Sequence, residues 1–215
     1  MTSAYWRRTA ALICLIVAPL AQLAQYLVSP IRQGVSAADQ VAAAAAHPSA
    51  MRLALALDVP ILLILPAILF AATVARSRLG AAGAAVAFTT ALGAGYLLAA
   101  DVVVYAAAQQ PDRSPAVVAA YSGSGVVAVL VILYLIGHVV GFALLGAALI
   151  RSRAVPVWAG AALCAWPVLE MLGEGLDLKP VAAAGFLALL AGFAACAFTL
   201  VKPVILADTG VRIAA

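Results

Sequence analysis

Residues 125–150 read GVVAVLVILYLIGHVVGFALLGAALI, an apolar run in which Tyr134 and His138 are the most polar members. About 20 apolar residues are enough to cross the hydrocarbon core of a bilayer as an α-helix. Lipid offers the backbone no partners, so only helices and closed barrels can span it. The run lacks the alternation of a barrel strand. This stretch therefore predicts a transmembrane helix.

Similar runs occur along the whole chain, in which 67% of the 215 residues are hydrophobic and 9% are charged. Soluble domains carry about 25% charged residues. The first run follows Arg7 and Arg8 like a signal peptide, but its length suits a span and no small-residue cleavage site follows. We expect one transmembrane domain over residues 1–215, an all-α bundle of six helices. The predicted spans are Thr9–Ser29, Leu53–Ala75, Gly80–Tyr105, Gly125–Ile150, Val155–Leu172 and Val181–Val201.

The basic residues predict the orientation of the bundle, because cytoplasmic loops are enriched in Lys and Arg. With the N-terminus inside, the basic turns at residues 76–78 and 151–153 also lie inside. We therefore expect both termini on the cytoplasmic side of the plasma membrane. The inner basic residues are then Arg7, Arg8, Arg76, Arg78, Arg151, Arg153, Lys202 and Arg212, against Arg32, Arg52, Arg113 and Lys179 outside.

The first two outer connections are long, and each contains the signals of a short helix. Ser36, with Asp39 three residues later, is typical of an N-cap before Gln40–Ala46. Ser114 followed by Pro115 predicts a helix start before Ala116–Tyr121. We expect two short helices at the outer interface, acting either as lids or as simple packing elements.

Ionisable residues at membrane depth are the candidates for function, since burying them in lipid is costly and they usually face a cavity. Asp58, Asp101 and Glu170 fall at comparable levels of the outer half. We expect them to meet in a polar cavity that opens outward and has an aromatic floor. Desolvation there favours the neutral carboxylic acid, which can donate a proton. The candidate catalytic residues are therefore Asp58, Glu170 and Asp101.

Other polar and aromatic residues fall near the same level and are candidates for substrate binding. Tyr134, His138 and Phe142 recur at intervals of four, which predicts one helical face. Pro60 and Pro66 predict a kink beside Asp58. The candidate binding residues are Tyr105, Tyr134, His138, Phe142, Trp166, Trp158, Gln22, Gln25 and Glu174.

Structural interpretations of the same residues stay open. Asp101 also suits a helix end in the headgroup zone, and Glu174 and Asp177 suit solvated loop charges. His138 also suits a hydrogen bond to a neighbouring helix. Cys14, Cys164 and Cys196 suit apolar packing, so no metal site and no cofactor are predicted.

The layout resembles uncharacterised six- or seven-span membrane proteins of high-GC bacteria, through the loop Ser36–Met51, the turn Arg151–Pro156 with Trp158, and the stretch Gly137–Gly146. This resemblance implies no activity. A second similarity, to the integral-membrane terpene cyclases of meroterpenoid pathways, is carried by Asp58, Asp101, Glu170, Trp158, Trp166, Tyr134 and Phe142. It implies intramembrane carboxyl groups that act as acids on isoprenoid chains. Those cyclases have seven spans, and this chain has six predicted ones.

The first functional hypothesis is an enzyme that protonates an isoprenoid-like lipophilic substrate and so cyclises or isomerises it. The second is a small-molecule or proton-coupled transporter, in which the same carboxylates would be coupling sites. The third is a structural or accessory subunit. Expected partners are the lipid bilayer and a lipophilic small molecule; Gly137 and Gly141 also suit a homodimer contact. No run of Lys and Arg suggests nucleic-acid binding.

Overall fold

The computed structural model describes residues 3–208 apart from 33, 111 and 113. Within this part of the chain the regular structure is entirely helical, without a strand. The helices are α1 Ser3–Val28, α2 Ala37–Ala46, α3 Pro48–Ile61, α4 Ile64–Ala75, α5 Arg78–Ala87, α6 Thr90–Gln109, α7 Pro115–Ser122, α8 Gly125–Leu135, α9 Phe142–Ser152, α10 Val157–Gly175 and α11 Lys179–Asp208, with a π-helical segment Ile136–Gly141 joining α8 to α9.

Four stretches of the described residues are long and apolar enough to cross a membrane, judged by length and composition. In α6, the apolar helix Gly93–Gln109 is shorter. The helix α10 carries Glu170 and Glu174 in its second half, which lower its hydropathy. The lengths and composition are those of a helical membrane protein. The four stretches are Tyr5–Val28, Pro48–Ala75, Gly125–Ser152 and Lys179–Val201.

The predicted second and third spans are both interrupted. Between α3 and α4, the amides of Leu62 and Leu63 donate to carbonyls only three residues back. Pro66 lacks an amide proton and crowds the carbonyl of Leu62, which explains the break and confirms the predicted kink. Between α5 and α6, the Thr89 hydroxyl donates to its own helix at Val86 O (2.7 Å) and across to Leu133 O (3.0 Å). The span predicted as continuous over Gly80–Tyr105 therefore consists of two helices.

Two basic turns end helices in an unusual backbone conformation. Arg76 ends α4 with φ 46°, and Arg153 ends α9 with φ 53°. Both values lie in the left-handed region, where glycine is the usual residue at a helix C-terminus. Ser77 then caps α5, since its side chain accepts from the amide of Gly80 at 3.0 Å.

Glycines permit the closest contacts between helices, as predicted for the Gly137 and Gly141 pair. A Cβ atom at Gly137 would overlap Thr90, and one at Gly141 would overlap the backbone of Ala87. The C-terminal end of α5 therefore sits directly on the π-helical segment. Gly185 and Gly192 of α11 likewise face the backbone and side chains of α10.

Two apolar cores hold the described helices together. The larger core joins α1, α4, α5, α9, α10 and α11, with Leu15, Ile68 and Leu149 fully buried. The smaller core joins α2, α3, α6 and α7 around Val41, Met51 and Val104. The helices α2 and α7 thus pack with α6 in this smaller core.

The start signals of the two short helices are partly confirmed. Ser36 caps α2, because its hydroxyl accepts from the amide of Asp39 at 3.2 Å. Pro115 opens α7, but the side chain of Ser114 makes no capping hydrogen bond there. The second helix starts at Ala37, earlier than expected, and α3 already begins at Pro48.

Candidate functional site

A cavity of about 800 Å³ lies among the helices α1, α3, α6, α8, α10 and α11. Residues of the connection between α1 and α2, and Ser122 at the end of α7, also line it. Along α10 the lining passes from buried Trp166 and Glu170 to half-buried Glu174. It ends at exposed Asp177, so the cavity runs from a buried floor to an exposed mouth.

Carboxyl groups from three helices line this cavity. Asp58 lies on α3, Asp101 on α6, and Glu170 and Glu174 one turn apart on α10. The helix α10 continues through Pro167, which keeps Glu170 and Glu174 on one face. Asp58 and Glu170 are 5% and 8% exposed. The structure thus brings together the carboxyl groups for which the sequence predicted a common level.

The deepest polar group is His138, which is fully buried in the π-helical segment. Its Nε2 atom lies 2.8 Å from Oε2 of Glu170. The distance is that of an ion pair, although the two atoms lack the alignment of a regular hydrogen bond. A π-helical turn is rare and often marks a functional position in a helix. The pair can share a proton between an imidazole and a carboxyl group.

Aromatic rings surround His138 and form the floor of the cavity. The ring of Tyr134 stacks on the imidazole with centroids 4.8 Å apart, and Trp166 meets its edge at 4.4 Å. Phe142 packs edge-on against Trp166 with centroids 4.4 Å apart and against His138 at 6.4 Å. The floor of the cavity is therefore a packed cluster of aromatic rings around His138.

A second polar group connects α1 with α6. The side-chain amide of Gln25 on α1 donates to Oδ2 of Asp101 at 3.2 Å. Both residues line the cavity together with Asp58, and they also line a small annex beside its exposed end.

Several buried polar atoms on the cavity wall have no hydrogen-bond partner within the described part of the chain. They belong to helices α1, α3, α6 and α10 and to the π-helical segment, and each of their residues lines the cavity. An unsatisfied buried polar group costs about 1–3 kcal/mol, so such groups normally meet water or a ligand. They are Gln22 Oε1, Asp58 Oδ2, Thr90 Oγ1, His138 Nδ1 and Trp166 Nε1.

The mouth of the cavity carries an exposed ion pair. The guanidinium of Arg32, which follows α1, lies 2.8 Å from Asp177, which follows α10. Asp177 has φ 52°, in the left-handed region. A small annex of about 80 Å³ beside the mouth is lined by Gln25, Glu174 and Lys179 among others.

Three predicted binding residues lie outside the cavity lining. Phe142 is fully buried behind Trp166, and Tyr105 packs against the smaller core. Trp158 is 57% exposed near the start of α10. The remaining candidates, Tyr134, His138, Trp166, Gln22, Gln25 and Glu174, all line the cavity.

Sequence reasoning missed several lining residues. Thr90 follows Thr89 inside an apolar run. Two adjacent hydroxyl groups in such a run could have indicated a polar position on the cavity wall. Tyr26, Tyr96 and Phe186 also line the cavity, but nothing in their local sequence distinguishes them from lipid-facing aromatic residues. Arg32 was assigned only to an outer loop.

No family model, curated protein or solved structure matches this chain.

Proposed function

We propose that this chain is a six-span plasma-membrane protein with both termini in the cytoplasm. The charges support this orientation, since both tight turns, Arg76–Arg78 and Arg151–Arg153, are basic. In this arrangement α2 and α7 lie at the outer interface, and the mouth beside Arg32 and Asp177 faces the exterior. The break between α5 and α6 falls within the third span.

We propose further that the protein is an enzyme that cyclises or isomerises an isoprenoid-like substrate by protonating it. The observation that carries this proposal is the 800 Å³ cavity, which combines buried carboxyl groups with an aromatic floor. Pockets of this size hold drug-sized ligands. Toward the basic turns, the larger apolar core closes the bundle with fully buried Leu15, Ile68 and Leu149. A one-sided pocket suits a reaction better than passage across the membrane.

The chemistry needs one acid, one base and a surface that tolerates a cation. Asp58, in its protonated form, donates its proton to a terminal alkene carbon, or to an epoxide oxygen whose C–O bond then breaks. A second alkene attacks the resulting carbocation and forms a C–C bond. The rings of Tyr134 and Trp166 stabilise the positive charge. The Glu170–His138 pair then removes a proton and restores an alkene, so the net reaction neither gains nor loses protons.

Solvent deuterium provides a direct test of this reaction. Purified protein in nanodiscs is incubated with all-trans geranylgeraniol and with its terminal epoxide, in H₂O and in D₂O. We expect a product isomeric with each substrate, measured by gas chromatography and mass spectrometry. In D₂O the product from geranylgeraniol should gain one mass unit through a carbon-bound deuterium, whereas the epoxide takes its deuteron on an exchangeable hydroxyl oxygen and should give an unlabelled isomer. Asp58→Asn and Glu170→Gln should each lower the rate by about 10²–10⁴-fold, the usual worth of a general acid or base.

The control for that test is Asp112→Asn, which removes an exposed carboxyl group outside the cavity lining and should retain full turnover. Full activity in both Asp58→Asn and Glu170→Gln would exclude the assigned roles. Absence of an isomeric product from both substrates would contradict the proposed reaction on these two compounds, as would an isomer of geranylgeraniol that gains no deuterium in D₂O.

A specific observation favours transport as a second candidate. Both the α3–α4 break and the α5–α6 break lie in helices that line the cavity. Discontinuous helices around a central site are typical of secondary transporters. Uptake of a lipophilic solute into proteoliposomes, driven by a pH gradient and lost in Asp58→Asn, would favour this function over the enzyme.

A further inference from the structure

The charges that line the large cavity are unevenly distributed. Asp58 and Glu170 are buried, whereas Asp101 and Glu174 are half-buried and also line the annex beside the mouth. Among the described lining residues of the large cavity the fixed cation is Arg32, which is exposed at the mouth and paired with Asp177. Lys179 lines the annex.

Pairing within the described part of the cavity leaves Asp58 and Asp101 without a cationic partner in hydrogen-bond contact. His138 lies against Glu170, which accounts for one buried carboxyl. Asp101 accepts from an uncharged amide, Gln25, and Oδ2 of buried Asp58 has no hydrogen-bond partner in the described chain. The carboxyl groups of Asp58 and Asp101 therefore have no positively charged partner in the described chain. A cationic ligand would supply one.

The wall beside Asp58 and Asp101 is apolar. Helices α3, α4, α6 and α8 contribute aliphatic side chains there, and several of these side chains are half-buried. Tyr96 and Tyr134 add aromatic faces to the same cavity. A hydrocarbon chain can lie along this wall and an aromatic face can contact a cation. The aliphatic lining residues are Ile61, Ile64, Leu97, Leu98, Val131 and Leu135.

We infer that the cavity binds an amphiphilic organic cation, with its ammonium head between Asp58 and Asp101 and its hydrocarbon tail along the apolar wall. The volume of about 800 Å³ accommodates such a molecule. The inference concerns the cavity of the proposed enzyme and goes beyond its reaction, because binding of a stable cation requires no turnover.

Fluorescence of Trp166 gives a local measurement of this binding. The chain has three tryptophans, and Trp6 and Trp158 are 60% and 57% exposed away from the cavity lining. In the background W6F/W158F the remaining indole reports on the cavity. The probe is 11-bromoundecyl-trimethylammonium, whose bromine quenches an indole on contact. Its matched control carries a tert-butyl head on the same chain, so that carbon replaces the charged nitrogen.

Titrations are made in phosphatidylcholine nanodiscs and corrected for the partition of each probe into protein-free nanodiscs. We expect the cation to bind about tenfold or more tightly than its neutral isostere, as a close charge pair in a partly desolvated site allows. Asp58→Asn/Asp101→Asn should bring the two affinities to within about twofold, because the charge partner is gone. Asp112→Asn should leave the ratio unchanged.

Binding of the neutral isostere to the double variant shows that its cavity is intact. If that binding is lost, the single variants Asp58→Asn and Asp101→Asn are titrated instead, and each should lower the ratio. Equal affinities of the two probes for the protein that retains Asp58 and Asp101 would overturn the inference. An unchanged ratio in Asp58→Asn, in Asp101→Asn and in the double variant would also overturn it. The deuterium test is independent of this result, because its substrates are uncharged.

Discussion

At the scale of single residues, the contact between His138 and Glu170 differs from the exposed ion pair at the mouth in its surroundings. Both side chains are almost fully buried at the aromatic floor of the cavity. Removing one partner of a buried charged pair is costly, because it leaves the other group without compensation. The exposed pair Arg32–Asp177 has the same 2.8 Å separation but is surrounded by solvent.

A double-mutant cycle should separate these two cases. We expect His138→Gln and Glu170→Gln to be coupled by about 1–3 kcal/mol, since residues in direct contact share an interaction energy. The measurement is reversible unfolding in mixed micelles for the unmodified chain, both single variants and the double variant. A coupling energy near zero would mean that the 2.8 Å contact contributes nothing to the fold.

The matched cycle uses Arg32→Ala and Asp177→Ala. Their coupling should stay below about 1 kcal/mol, because water and salt screen an exposed ion pair. A larger value at this exposed pair than at the buried pair would reverse the expected order.

At the scale of helices, the close packing of α5 against the π-helical segment positions the floor of the cavity. Gly137 and Gly141 leave room for Thr90 and for the backbone of Ala87. Thr89 adds a hydrogen bond from its hydroxyl to Leu133 O. These contacts hold the π-helical segment, and with it His138, against the end of α5.

Gly141→Ala should therefore destabilise the protein by about 1–3 kcal/mol, the usual cost of overpacking. The added Cβ would overlap Ala87, whose backbone cannot move without displacing α5. The control is Gly95→Ala in α6, where a Cβ meets nothing within 4 Å. Alanine there should leave stability unchanged or raise it by up to about 1 kcal/mol. Equal thermal stability of the two variants would contradict this packing.

The aromatic face predicted from the spacing of Tyr134, His138 and Phe142 is retained across the π-helical segment. The Tyr134 ring stacks on His138, and Phe142 meets the His138 ring edge-on with centroids 6.4 Å apart. Phe142 is fully buried against Trp166, outside the cavity lining. The sequence gives no signal for the π-helical turn itself.

At the scale of the whole molecule, the apolar helices could be predicted because their sequence runs are long and uniform. The depth of Asp58, Asp101 and Glu170 followed from counting residues along those helices. Depth does not specify which way a side chain faces, and the pairing of His138 with Glu170 depends on how α10 packs against the π-helical segment. Likewise, the Thr89-Thr90 pair was visible, but its partner Leu133 O lies on another helix.

The proposed orientation can be tested by cysteine labelling in a variant without Cys14, Cys164 and Cys196. Ser49→Cys and Ser152→Cys place exposed thiols at opposite ends of the bundle. We expect a membrane-impermeant maleimide to label Ser49→Cys in intact spheroplasts of a bacterial host, and to label Ser152→Cys only after permeabilisation. The reverse pattern would invert the orientation, and labelling of both in intact spheroplasts would contradict the odd number of spans proposed between the two positions.

The two helix-ending arginines bear on how such a chain enters the bilayer. Arg76 and Arg153 occupy a left-handed backbone conformation that costs a side-chain-bearing residue about 1–2 kcal/mol. Glycine would remove that cost but also the charge that resists translocation during synthesis. At both bends between helices the folded chain thus keeps a strained backbone conformation. In the proposed topology, the positive charge kept there holds each newly made helical hairpin on one face of the membrane.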